Sequence, residues 1–181
     1  SFEHRLKMMT PIAGRDRMET IFAPWRMAYI REKKTAAGCV LCRDSTRRDE
    51  LVVWEGEKSY IIVNRYPYTG GHLMVVPYRH LCCLSDLLPE ERVELFTFMD
   101  LSVRVLTEAM KPEGFNIGMN IGKAAGAGID DHLHFHVVPR WGGDTNFASV
   151  IGEVRVIPED VLKTARELRP FFTKIQREVC G

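Results

Sequence analysis

Asp131-His132-Leu133-His134-Phe135-His136-Val137-Val138-Pro139-Arg140 sets histidine at every second position of a run that reads as a β-strand. Side chains alternate between the two faces of a strand, so the three imidazoles are expected on one side. Leu133, Phe135 and Val137 are then expected to pack on a core on the other side, and Pro139, which has no amide proton, to end the strand. A neutral imidazole held by a hydrogen bond at one nitrogen is a competent nucleophile toward phosphorus at the other. Neighbouring imidazoles can fix its tautomer and bind phosphate oxygens. The row therefore points to phosphoryl or nucleotidyl transfer. The rival reading, a hydrolytic three-histidine zinc site, is disfavoured because alternate residues on a strand spread as a row and converge poorly on one ion.

Apart from His4, the remaining histidines fall in Gly70-Gly71-His72-Leu73-Met74-Val75-Val76-Pro77-Tyr78-Arg79-His80, where His72 to Pro77 reads as a second strand. Directly before the triad, Gly126-Ala127-Gly128 has no side chain able to donate to a phosphate. Any contact there is expected through backbone N–H groups, as in an anion-binding nest. Asn64, at a strand end, and Asn120, before the Gly-rich loop, are placed to read ribose or phosphate, or to cap turns. Trp141 could equally stack against a ligand or pack in the core, and Arg140 could serve a phosphate or a structural ion pair. Cys39-Val40-Leu41-Cys42 forms a Cys-x-x-Cys knuckle in a polar loop. Zinc needs four thiolate or imidazole ligands, and the nearest suitable groups are the histidines above. A structural zinc clip tying this loop to the sheet is favoured over a redox pair or an inert one.

The bulk properties narrow the classes. At 181 residues the chain fits one domain with its own core. A net charge of +1 gives no broad field for extended nucleic acid, so nucleotide affinity must come from a local pocket. No apolar run approaches a membrane span and no signal-peptide pattern is seen, so a cytoplasmic protein is expected. Five cysteines, including the adjacent Cys82-Cys83 and a penultimate Cys180, do not resemble a secreted disulfide framework. Cys82 and Cys83 are expected to be small, semi-buried residues.

Residues 1–17 are polar and aperiodic and are read as an N-terminal extension, with residues 18–181 as one domain. A short helix is expected over Phe22–Ile30. Leu51–Trp54 and Ser59–Asn64 flank a hairpin turn. Ser85 to Glu91 reads as a helix start, with a cap candidate, Pro89 and early carboxylates. In the long helix that follows, Val93, Leu95, Phe96, Met99, Leu101, Val103, Leu106 and Met110 are all assigned to the core, and Lys111 to Gly114 stop it. Phe115 to Ile121 is a strand, and Pro158 to Val179 a terminal helix. The order argues an α+β fold with a mainly antiparallel sheet.

His132-Leu133-His134-Phe135-His136-Val137-Val138 resembles the His-φ-His-φ-His-φ-φ signature of the histidine-triad (HIT) superfamily. Asn64, Gly71-His72 and Pro77-Tyr78-Arg79-His80 match its upstream block. Pro24-Trp25-Arg26, Tyr66-Pro67-Tyr68 and Pro139-Arg140-Trp141-Gly142-Gly143-Asp144-Thr145-Asn146-Phe147 are most similar to a bacterial branch near the fragile-histidine-triad hydrolases and the diadenosine polyphosphate phosphorylases. The resemblance spans roughly residues 22–150. It implies a homodimeric α+β enzyme, with no organic cofactor, that cleaves a dinucleoside polyphosphate at its α-phosphorus by hydrolysis or phosphorolysis.

In that reading His134 is the nucleophile, His132 and His136 orient it and contact phosphate, and His72 supports them. Asn64, Asn120, Ala127, Gly128 and Trp141 fall at substrate positions. Cys39, Cys42, His80 and His132 match the ligands of zinc-containing members, so His132 would be shared between the metal and the histidine row. Gly128 departs from the pattern, because many members place Gln, Ser or Thr just before the triad. A nucleoside phosphoramidase and a non-catalytic purine-nucleotide-binding protein are the competing readings.

Overall fold

A computed structural model of the chain describes residues 38–42, 50–144 and 160–180. The N-terminal extension, the helix expected at 22–30, the motif residues Thr145 to Phe147 and Pro158 lie outside the described residues. β1 (Val52–Glu55) and β2 (Ser59–Val63) form the expected hairpin, and β3 (Leu73–Pro77) pairs with β2. α1 (Pro89–Met110) leads to β4 (Gly114–Gly118), and β5 (Phe135–Arg140) returns between β3 and β4. The sheet order is β1-β2-β3-β5-β4 with every pairing antiparallel, and α2 (Val161–Cys180) follows. The expected α+β class is observed. Among the described residues no helix is long and apolar enough to cross a membrane.

β2 and β3 are buried at every position, as central strands covered on both faces must be. Both helices pack on one face, α1 against β2, β3 and β5, and α2 against β1, β2 and α1. Phe135 shares a hollow with Leu95, Phe96 and Met99 of α1, so it points to the helical face. Alternation then sends His136 to the opposite face, where Tyr60, paired with Val76, donates its hydroxyl to Leu41 O at 2.7 Å. The cysteine knuckle and the histidines therefore share the face away from the helices.

α1 starts where Pro89 occupies its first turn beside Glu90 and Glu91. Glu91 accepts the Leu88 N–H at 2.8 Å and is gripped by Arg79, which sits 2.6 Å away. Ser85 is not the cap; it lies in a short 3-10 turn, Leu84–Asp86. The helix stops at Lys111 in the left-handed region, φ 51°. Gly71 also needs positive φ, 77°, and a Cβ there would meet Met110 Sδ at 2.5 Å.

Three expectations are corrected. Val93 and Phe96 are 68% and 72% exposed, because the helix packs through one stripe, which includes Leu95, Phe98, Met99, Ser102, Val105 and Leu106. Pro139 does not end β5, which runs on to Arg140. Its carbonyl accepts Thr69 Oγ1 at 2.8 Å, so its missing N–H faces the β3 side, where pairing with β3 has already stopped at Val137, and no ladder bond is lost. Cys82 and Cys83 are exposed.

Glu94 ties α1 to the first hairpin. Its carboxylate accepts Glu57 N–H at 2.8 Å, Lys58 N–H at 2.7 Å and the hydroxyl of fully buried Ser59 at 2.8 Å. Glu94→Ala would strand that hydroxyl without its acceptor and is expected to lower stability by about 2 kcal/mol. In urea unfolding the midpoint should drop with an unchanged slope; an unaltered midpoint would show the grip to be dispensable.

Candidate functional site

His132 and Leu133 precede β5, and only His136 of the triad lies inside the strand. The main chain is pinned here because Leu133 N–H donates to Leu81 O at 2.7 Å. His132 Nε2 lies 2.9 Å from Pro77 O, and a carbonyl only accepts, so Nε2 carries the proton. The Nδ1 lone pair then faces Cys39 Sγ at 3.3 Å and Cys42 Sγ at 3.7 Å. The expected row of three imidazoles is therefore split. His132 turns into the cysteine knuckle, and it supports His134 through its backbone carbonyl, which accepts His134 Nδ1–H at 2.9 Å. His134 consequently bears its lone pair on Nε2.

A second chain of hydrogen bonds fixes His136. Tyr68 N–H donates to His72 Nδ1 at 3.0 Å, so His72 presents a protonated Nε2 to His136 Nδ1, 3.0 Å away. That leaves the proton of His136 on Nε2. Tyr68 stacks on His72 with centroids 4.8 Å apart, and His134 meets His136 edge-on at 4.9 Å. Sequence reasoning found His72 but missed the supports, Tyr68 N–H and the carbonyls of Pro77 and Leu81. Backbone donors and acceptors leave no residue-type signal; Tyr68 was visible only as part of Tyr66-Pro67-Tyr68.

Burial dominates the electrostatics. It lowers His132 and His134 below the ordinary histidine value of 6.5, opposed by their backbone hydrogen bonds. It takes His136 down to about 4, with the nearby His134 adding to the shift. All three are thus neutral near pH 7, the form in which an imidazole is nucleophilic. In the knuckle, burial pushes the Cys39 thiol up to about 11.

Cys39, Cys42, His80 and His132 place one donor atom each within 4.8 Å of one another. Cys42 Sγ lies 3.4 Å from His80 Nδ1. Ligands about 2.0–2.3 Å from a tetrahedral ion stand about 3.3–3.8 Å apart, so the sulfur–nitrogen separations of 3.3, 3.7 and 3.4 Å and the two-sulfur, two-nitrogen donor set fit such a centre.

The remaining expected site residues are more dispersed. Asn64 Oδ1 accepts Tyr66 N–H at 2.9 Å and its Nδ2 lies 3.3 Å from His72 Nδ1, so it caps a turn while touching the histidine chain. Asn120 is half-buried on the loop after β4. The expected nest is not presented by Gly126 and Ala127: their N–H groups close the loop's own turn onto Lys123 O and Gly122 O. Gly128 is half-buried beyond that turn. Trp141 follows β5 at the end opposite His134, about 20 Å away along an extended chain. It does not wall the triad of its own chain. Arg140 makes the structural ion pair, with Asp144 Oδ1 at 2.7 Å and a further bond to Asn116 Oδ1.

The chain belongs to the histidine-triad family: the family's HIT domain model matches residues 45–143. It is 40% identical over 167 residues to the AP-4-A phosphorylase of Mycobacterium tuberculosis, covering 87% of this chain and 86% of that protein. It is 29% identical over 131 residues to a bis(5'-adenosyl)-triphosphatase of Dictyostelium discoideum, covering 69% and 87%. A crystal structure of a zinc-bound histidine triad family protein from Mycobacterium smegmatis superimposes with a TM-score of 0.59 at 25% identity. It covers 84% of this chain and 99% of that one.

The depressed His136 makes stability depend on pH. Between about 6.5 and about 4 the unfolded chain binds a proton there that the folded chain refuses. Stability is therefore complete above that window and falls as pH drops through it. Urea midpoints should decline from about pH 7 to about pH 5, and less steeply in His136→Asn; parallel slopes would remove His136 as a cause.

Proposed function

We propose that this protein is a nucleotidyl-transferring enzyme that cleaves dinucleoside polyphosphates of the diadenosine tetraphosphate type, with inorganic phosphate as the acceptor. The observation that carries the reading is His134, buried and neutral, with Nδ1–H spent on His132 O and a lone pair on Nε2. The 40% identity to a named AP-4-A phosphorylase favours phosphorolysis over hydrolysis. Nε2 attacks the α-phosphorus, the bond to the bridging oxygen breaks, and ATP leaves. Phosphate then displaces His134 from the adenylyl group and ADP forms. We assign His136 Nε2–H as a donor to an α-phosphate oxygen; its hydrogen bond with His72 supports that tautomer. Asn64, Asn120 and Gly128 are the groups we assign to ribose and phosphate.

We further propose that Cys39, Cys42, His80 and His132 hold zinc. When bound, the ion would fix the knuckle to the sheet without entering the reaction. Residues 18–181 are read as one HIT domain, acting in the cytoplasm, where the exposed thiols of Cys82 and Cys83 would persist reduced. We also propose a homodimer. Among the described residues β4 is an edge strand bearing Ile117, 49% exposed, and α1 presents Val93 and Phe96 to solvent.

Diadenosine tetraphosphate should give ADP and ATP only when phosphate is supplied, and His134→Ala should lower the rate by at least about 10³-fold. AMP and ATP without phosphate would make it a hydrolase. Equal inertness of wild type and variant across nucleotides and phosphoramidates would end the enzyme reading. Elemental analysis is expected to find about one zinc per chain and less in Cys39→Ser; a metal-free, folded protein would refute the zinc assignment. Phe96→Glu should shift sedimentation from dimer to monomer, whereas a monomeric wild type would contradict the dimer.

A further inference from the structure

Cys82 and Cys83 belong neither to the metal cluster nor to the histidine chain. Both are exposed, both are free thiols, and their sulfurs lie 3.4 Å apart. Adjacent side chains on an extended backbone normally point to opposite faces. Cys83 is extended, with φ −113° and ψ 137°, yet the two sulfurs touch. The short loop that presents them is fixed at both ends. Leu81 is buried and accepts Leu133 N–H, Cys83 O accepts Asp86 N–H at 3.2 Å, and Leu87 is buried. Little chain freedom remains to be lost when one atom joins both sulfurs.

The separation selects the kind of atom. Two thiolate sulfurs about 2.3 Å from a tetrahedral ion stand about 3.8 Å apart, the wide end of the range for mixed ligands, whereas at the 3.4 Å seen here the angle at a bridging atom closes to roughly a right angle. Right angles are the geometry of a pyramidal, three-coordinate main-group centre. A disulfide would need the sulfurs at about 2.05 Å and Cα atoms usually about 4.4–6.8 Å apart, against about 3.8 Å for neighbours in sequence. Paired sulfurs also favour soft, thiophilic partners.

We propose that Cys82 and Cys83 form a bidentate dithiol site for thiophilic main-group centres of the monosubstituted trivalent arsenical class, R–As(OH)2. Two S–H bonds and two As–OH bonds break, two As–S bonds form, and two water molecules leave. Arsenic stays trivalent, so no oxidant or reductant is consumed.

The test is intact-protein mass spectrometry on reduced protein treated with one equivalent of phenylarsine oxide, with metal content measured before and after. One adduct per chain is expected, stable to monothiol and removed by a competing dithiol. Cys82→Ser and Cys83→Ser should each lose it at a monothiol concentration at least about 100-fold lower than wild type. In the wild type, the arsenical should shield both residues from alkylation. An adduct retained by the double serine variant, stripped from wild type by monothiol, or formed in step with loss of bound metal would overturn the proposal, the last by placing the arsenical on Cys39 and Cys42.

Discussion

Everything at this site depends on how His132 is held. Its Nε2–H is committed to Pro77 O, its Nδ1 faces two sulfurs, and its carbonyl accepts His134 Nδ1–H. The next residue is tied to Leu81 by its N–H. One residue thus joins the end of β3, the cysteine knuckle and the start of β5. Freeing any of these groups inside a buried site would leave a polar atom unpaired, at about 1–3 kcal/mol each. The knuckle is over 40 residues from the long helix and 90 from the triad in sequence, yet it meets the residue whose backbone carbonyl fixes which nitrogen of His134 carries the proton.

The second chain, Tyr68 to His72 to His136, complements the first. Each chain starts from a backbone group whose role as donor or acceptor cannot change, so each fixes tautomers outward toward the same space. The result is a set of neutral imidazoles in a site that burial keeps uncharged. An arriving polyphosphate supplies the negative charge, and a nearby anion favours the protonated imidazole. His134 must still be neutral when it attacks; the positive charge its ring gains on bonding to phosphorus is then stabilised by the polyphosphate anion, and the His136 N–H donor strengthens as charge builds on the phosphate.

Much of this was legible in the chain itself. Short unbroken apolar runs located the hairpin and β3, alternation located β4 and β5, and the residue types in Cys39-x-x-Cys42 and the histidine segments marked both halves of the site. Residue spacing did not show the split of the triad; only the family's ligand pattern put His132 at the knuckle. Period-two spacing assigns faces only within a strand, and β5 begins at Phe135, after His132 and His134. The Gly-rich loop turns two of its donors inward, because the Gly126 and Ala127 N–H groups bond to Lys123 O and Gly122 O, and sequence proximity of Trp141 to β5 says nothing of which end of the strand it flanks. Phe96 and Val93 follow helical spacing without being core: spacing cannot separate a face that packs inside from one left for another surface.

The measurement that bears most directly on this account is the tautomeric state of His134, read from ring nitrogen shifts in long-range proton–nitrogen NMR spectra of the labelled protein near neutral pH. His134 is expected as the Nδ1–H form with a bare Nε2, while His72 and His136 carry their protons on Nε2. An Nε2–H form of His134, or rapid averaging of its two forms, would contradict it, because the hold on His132 would then not be what prepares the nucleophile.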